Sequence, residues 1–171
     1  MTSPARVAVV VGNPKPASRT LGAAVHVARE LAGREPDLVV DLGTLGAALL
    51  DWSDPTVAGL VAEVGAADLV VVACPTYKAT YTGLLKLFLD RFAGGTGLSG
   101  LAVPLMLGAG PAHALAPELT LRPVLAELGA TTLRGHYVVD SAVTDPAAYD
   151  AWLAAVRPFV TAHLDRTGAP A

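Results

Sequence analysis

The sequence predicts an α/β domain with a doubly wound, five-stranded parallel sheet of order 2-1-3-4-5. Three observations lead there: short apolar runs recur along the chain, they are continuous and β-branched rather than alternating, and stretches of helical spacing separate them. Val7–Val11, Leu38–Leu42, Leu69–Cys74 and Leu101–Leu107 are the first four runs, and a fifth falls near Leu133–Val139. A strand wet on one face would alternate polar and apolar residues. These do not, so both faces are buried, as in a sheet packed between helix layers.

The first helix is read from Leu21, Val25, Ala28 and Ala32, and the second from Val57, Leu60, Val61 and Val64. The third carries Tyr81, Leu84, Leu85, Phe88, Leu89 and Phe92 over roughly 140° of its circumference, with Leu87 outside that stripe. That is wider than a sheet covers, so a broad core contact and a partner subunit both fit. Two more helices are expected at residues 114–128 and 146–164. With 171 residues and no linker or internal repeat, the expectation is one domain over 1–171, with residues 165–171 a loose tail.

Composition narrows the function. Hydrophobic residues make up 53% of the chain and charged residues 16%, which describes a folded protein with apolar surface to spare for a subunit interface. A net charge of −3 without a basic block argues against nucleic acid and anionic membranes as partners. The start of the chain leads directly into a strand without a signal-peptide pattern and no spanning segment is read, so a cytoplasmic location is expected. The single cysteine, Cys74, excludes an internal disulfide framework and a multi-cysteine metal site. Cys74 ends an apolar strand and is read as a core thiol; His26, His136 and His163 are scattered and receive no role.

In such a sheet, ligands bind outside the carboxyl ends of the strands where the chain order reverses. The loop after strand 1, residues 12–20, enters a helix near Ser18 and supplies Asn13, Lys15, Ser18, Arg19 and Thr20. Unpaired N–H groups at the helix start, neutral donors and two cations suit a phosphate, although a capped turn with solvated basic residues would look the same. It is neither a Walker A loop nor a dinucleotide fingerprint. The loop after strand 3 offers Pro75, Thr76, Tyr77 and Lys78, groups able to edge a flat aromatic ligand. The loop after strand 4 offers Gly108, Gly110 and His113, where glycine permits close approach to the backbone; a flexible connection with an incidental histidine is the alternative.

The segment Pro75-Thr76-Tyr77-Lys78-Ala79-Thr80-Tyr81-Thr82-Gly83-Leu84-Leu85-Lys86, closing with Asp90, resembles a characteristic stretch of the NAD(P)H-dependent FMN reductases, which have a flavodoxin-like fold. Gly108–Ala116 and Leu121–Leu125 are similar to the members that supply reduced flavin to a separate monooxygenase acting on sulfonates or similar compounds. The resemblance runs from about Val7 to Val139. It implies that Asn13, Lys15, Ser18, Arg19 and Thr20 hold the FMN phosphate, that Pro75, Thr76, Tyr77 and Lys78 border the isoalloxazine, and that Gly108, Gly110 and His113 form its other wall. Tyr77, Lys78 and His113 would stand near the reacting face, with NADPH or NADH as hydride donor and a homodimer or homotetramer as the assembly. Prosthetic FMN serving quinone, azo or metal-oxyanion reduction is the alternative, and a flavodoxin-type electron carrier a second. Two positions depart from the pattern: Asn13 replaces a common Ser, and Leu119 replaces a Tyr, or sometimes a His, carried in a widened helical turn and associated with exchangeable flavin and tetramer packing.

Overall fold

A computed structural model describes residues 5–167. In chain order these form β1 (Val7–Val11), α1 (Arg19–Ala32), β2 (Leu38–Asp41), α2 (Pro55–Gly65), β3 (Leu69–Pro75), α3 (Gly83–Leu89), β4 (Leu101–Gly108), α4 (Arg122–Glu127), β5 (Thr131–Thr132), β6 (His136–Val139) and α5 (Ala147–Thr167). All pairings are parallel, and the order is β2-β1-β3-β4-β5 with β6 also beside β4, the doubly wound arrangement of a flavodoxin-like fold.

Strand pleating divides the core in two. Ala8, Val10, Val70, Val72, Cys74, Ala102 and Met106 face the layer of α2, α3 and α4, while Val7, Val9, Val11, Val71, Val103 and Leu105 face α1 and α5. The α3 stripe buries Leu85, Phe88, Leu89 and Phe92 and leaves Leu87 partly exposed, so most of its width is core contact. Cys74 is fully buried and its thiol is pushed up to about 12 by that burial, which makes it inert.

Helix starts follow their capping chemistry. Ser18 Oγ accepts from Leu21 N, Asp54 Oδ1 from Val57 N with Pro55 in the first turn, and Thr82 Oγ1 from Leu85 N. α1 ends on Gly33 in the left-handed conformation. α3 is shorter than its apolar stripe, because Thr82 caps it after Tyr81.

Three sequence expectations need correction. The fifth strand is two short strands, because β4 sets only Val103 and Pro104 between its pairings with Thr132 and His136, whereas the edge chain has Leu133, Arg134 and Gly135 there. Leu133 N donates to Ala102 O, so every second residue of β4 faces this edge, and Pro104, the next of them, has no N–H to continue the ladder. The helix expected at 114–128 is a π turn at Pro117–Leu121 followed by α4, and a short 3₁₀ turn at Pro111–His113 precedes the expected start. Finally, α5 continues through Thr167, so residues 165–167 are helical rather than loose; the rest of the expected tail, 168–171, lies outside the described residues. Among the described residues no helix is long and apolar enough to cross a membrane.

α5 rests on the edge through an aromatic stack. The ring of His136 lies 4.8 Å from that of Trp152 at 18° and 5.5 Å from that of Tyr149, while Trp152 Nε1 donates to Arg134 O. Burial lowers the His136 pKa from 6.5 to about 4, and its Nε2 is buried without a partner. Between those two values the unfolded chain binds the proton and the folded one does not, so stability falls as pH drops through this window. The midpoint of urea unfolding is expected to decline from pH 6.5 towards 4, and less steeply in His136→Phe; equal slopes would show that His136 is not responsible.

Candidate functional site

The loop leaving β1 is shaped by its own side chains. Asn13 Oδ1 accepts from Lys15 N at 2.9 Å and Asn13 Nδ2 donates to Thr20 Oγ1 at 3.0 Å, closing the loop over the start of α1. From the end of β2, Asp41 takes Ala17 N on one oxygen at 2.8 Å and Gly43 N on the other at 3.3 Å, holding Ala17 at φ +51°. A Cβ on Gly43 would press to 2.8 Å from the Asn13 carbonyl oxygen, so this crossing is open to glycine alone. The outcome is a pocket of about 340 Å³ bounded by Asn13, Lys15, Ser18, Arg19 and Thr20, with Pro75, Tyr77 and Asp140 opposite. The hydroxyl oxygens of Ser18 and Thr20 are acceptors in these bonds, which leaves each hydroxyl hydrogen for a bound anion.

The loop after β3 is a tight hairpin. Thr76 N donates to Leu107 O at 2.6 Å, and Tyr77 and Thr80 exchange backbone bonds of 2.9 and 3.2 Å. Between them Lys78 and Ala79 stand at φ +52° and +68°, two successive left-handed residues without a glycine. Such a turn is strained, and it sets Tyr77, 53% exposed, at the wall of that pocket. Thr76 Oγ1 is buried beside the Tyr137 hydroxyl.

The loop after β4 is supported from below by Tyr137, whose hydroxyl donates to Gly110 O at 2.7 Å; burial, followed by the Asp140 charge, raises its pKa. A Cβ on Gly108 would collide with that same hydroxyl. His113 is exposed and lines a neighbouring cleft of about 420 Å³ with Ala79, Leu115, Leu119 and Thr120. The structure thus gathers Asn13, Lys15, Ser18, Arg19, Thr20, Pro75 and Tyr77 around one pocket, whereas Thr76, Lys78, Gly108, Gly110 and His113 lie outside its lining.

The turn at Pro117–Leu121 is π-helical even though Leu119 replaces Tyr. Glu118 holds it, accepting from Gly135 N at 2.5 Å and from Arg122 Nη1 at 2.8 Å, while Thr120 Oγ1 donates to Ala116 O. Leu119 itself is 69% exposed, so the widened turn does not rest on that side chain.

Sequence reasoning missed Asp41, Gly43, Thr82, Tyr137 and Asp140. Asp41 and Asp140 follow directly on β-branched runs at the ligand-facing edge, a position that could have drawn notice. Tyr137 was hidden as one more apolar strand residue.

A profile described as NADPH-dependent FMN reductase matches residues 5–145. The chain is 29% identical over 145 residues to an FMN reductase (NADPH) of Escherichia coli K12, covering 82% of this chain and 76% of that one. It is 34% identical over 159 residues to the NADH-dependent FMN reductase SfnF of Pseudomonas fluorescens Pf0-1, covering 85% and 82%. Among solved structures it is similar to the apo form of an NADH:FMN oxidoreductase (EMOB), with TM-score 0.81, 29% identity and coverage of 92% and 89%.

Two substitutions test the supports of the site. Ala79→Gly is expected to raise stability by about 0.5–1 kcal/mol in urea unfolding, since relief of the left-handed strain outweighs the added chain entropy. Tyr137→Phe removes the donor to Gly110 and should lower stability by about 1 kcal/mol. A loss on the first, or no change on the second, would contradict these assignments.

Proposed function

Because the chain belongs to the NADPH-dependent FMN reductase family, we propose that it reduces FMN with a nicotinamide nucleotide at the crevice formed by residues 12–20, 75–80 and 108–113. The observation that carries the site assignment is the pocket at the start of α1, where Lys15 and Arg19 meet the hydroxyls of Ser18 and Thr20. A second feature fits the rest of the cofactor. Gly110 leaves open space where a Cβ would stand, so the loop after β4 can take a flat ring close to its backbone.

FMN, when bound, supplies the redox chemistry by accepting a hydride from the nicotinamide. The protein's task is binding and orientation. Lys15, Arg19, Ser18, Thr20 and the first free N–H groups of α1 hold the phosphoryl tail; Asn13 keeps that loop closed. Pro75, Thr76 and Tyr77 border the ring, and Gly110, with open space where a Cβ would stand, admits it close to the backbone, while Gly108 makes room for the Tyr137 hydroxyl beneath that loop. Lys78 and His113 flank the crevice where the nicotinamide would approach. None of these groups is a nucleophile, so single substitutions reduce affinity or rate without abolishing turnover.

Within this reading the FMN is exchangeable and, once reduced, passes to a separate flavin-dependent monooxygenase in the cytoplasm. The similarity to proteins named FMN reductase (NADPH) and NADH-dependent FMN reductase SfnF supports that choice over a prosthetic flavin serving quinones. Assembly into a homodimer or homotetramer is the companion proposal. Leu115 and Leu119 lie exposed next to the site, and Leu50 and Trp52 on another face, more large apolar surface than scattered single residues.

Oxidation of NADH and NADPH measured against added FMN tests the reading. A saturable FMN dependence with a ternary-complex pattern is expected, and Thr20→Val should raise KM for FMN about tenfold with kcat little changed. Copurifying yellow flavin with ping-pong kinetics would make FMN prosthetic. No oxidation of either nucleotide would overturn the assignment.

A further inference from the structure

The pocket at the start of α1 contains a carboxylate that holding an anion does not ask for. Asp140, directly after β6, lines it together with Lys15 and Arg19. Its Oδ2 lies 3.7 Å from Arg19 Nη2, and its backbone carbonyl accepts from Arg19 Nη1 at 3.3 Å. One of the two cations facing the pocket is therefore already paired with a protein anion.

Asp140 differs in kind from Asp41, the other acidic residue at this edge. Asp41 commits both oxygens to backbone N–H groups, and its role in building the loop is plain. The Asp140 carboxylate caps no helix and, among the described residues, its side chain has Arg19 as its partner. Both members of the pair are well exposed, 66% and 38%, so the contact contributes little to folding. Its effect falls instead on whatever anion enters the pocket.

We propose that Asp140 sets the affinity for the phosphoryl tail of FMN, competing with it for Arg19 and repelling it by like charge, so that flavin is bound loosely enough to exchange. This rests on the FMN-reductase reading and deepens it. The effect depends on charge at the tail, so it discriminates between FMN and riboflavin, which has the same ring and no phosphate. Positioning of Arg19 by Asp140 would act in the opposite direction. The geometry disfavours that alternative: the contacts are long, exposed and made by a flexible side chain, whereas the negative charge at the pocket wall persists whichever way Arg19 points.

The test is Asp140→Asn, which keeps the backbone carbonyl contact to Arg19 and removes only the charge. Fluorescence titrations with FMN and with riboflavin are compared for the parent protein and the variant at low and high salt. The dissociation constant for FMN should fall about three- to tenfold at low salt and by less at high salt, with that for riboflavin within about twofold. Unchanged riboflavin binding also shows that the variant is folded. An FMN constant that stays the same or rises, or a parallel shift for both flavins, would overturn the role of Asp140. Failure of the parent protein to bind either flavin would instead overturn the FMN reading itself.

Discussion

Everything at the ligand edge depends on the parallel register of β1, β3 and β4, which brings three strand ends to one side of the sheet. Val11 pairs with Ala73 and Pro75 with Leu107, so the loops that follow emerge side by side. Thr82 then locks two of them together. Buried at the cap of α3, its hydroxyl donates to Gly12 O at 2.6 Å and accepts from Leu85 N at 3.1 Å, so the start of α3 and the start of the phosphate loop share one oxygen. A buried hydroxyl satisfied in both directions is costly to disturb, which ties the loop after β1 and the segment that leads into α3 into one unit.

The loops themselves are preorganised by residues that do not line the pocket. Asp41 and Gly43 brace the first loop from β2, and Tyr137 braces the third from β6. The second carries its constraint internally, in the successive left-handed residues Lys78 and Ala79. Strain of this kind persists only where surrounding bonds over-determine it, and here the Tyr77–Thr80 bridge and the Thr76–Leu107 bond do so. Rigid placement matters for a protein whose cofactor does the chemistry, since orientation is most of what the protein can add.

Periodicity made the sheet legible. Continuous β-branched runs admit few arrangements besides a strand buried on both sides, and the parallel order followed from the helices between them. The split fifth strand was not legible in the same way, because the lost ladder bond at Pro104 belongs to the neighbouring strand and appears only once register is known. Asn13, Ser18, Arg19 and Thr20 could be found because they share one loop before a helix. Asp41, Tyr137 and Asp140 come from other strands, and only the fold brings them to that loop. His113, from the loop after β4, lines an adjoining cleft, a separation that its position in the sequence does not reveal.

The balance of charge around Lys15, Arg19 and Asp140 connects this architecture to use. A helix start with two cations and free hydroxyls attracts a dianion, and the carboxylate opposite moderates that attraction. Backbone amide spectra of the ¹⁵N-labelled protein during titration with FMN address the central claim most directly. The Arg19 and Thr20 amides at the start of α1 are predicted to shift strongly with FMN and much less with riboflavin, while those around Thr76 and Tyr77 respond to both. Equal and small responses at Arg19 and Thr20 for the two flavins would contradict the placement of the phosphate at the helix start.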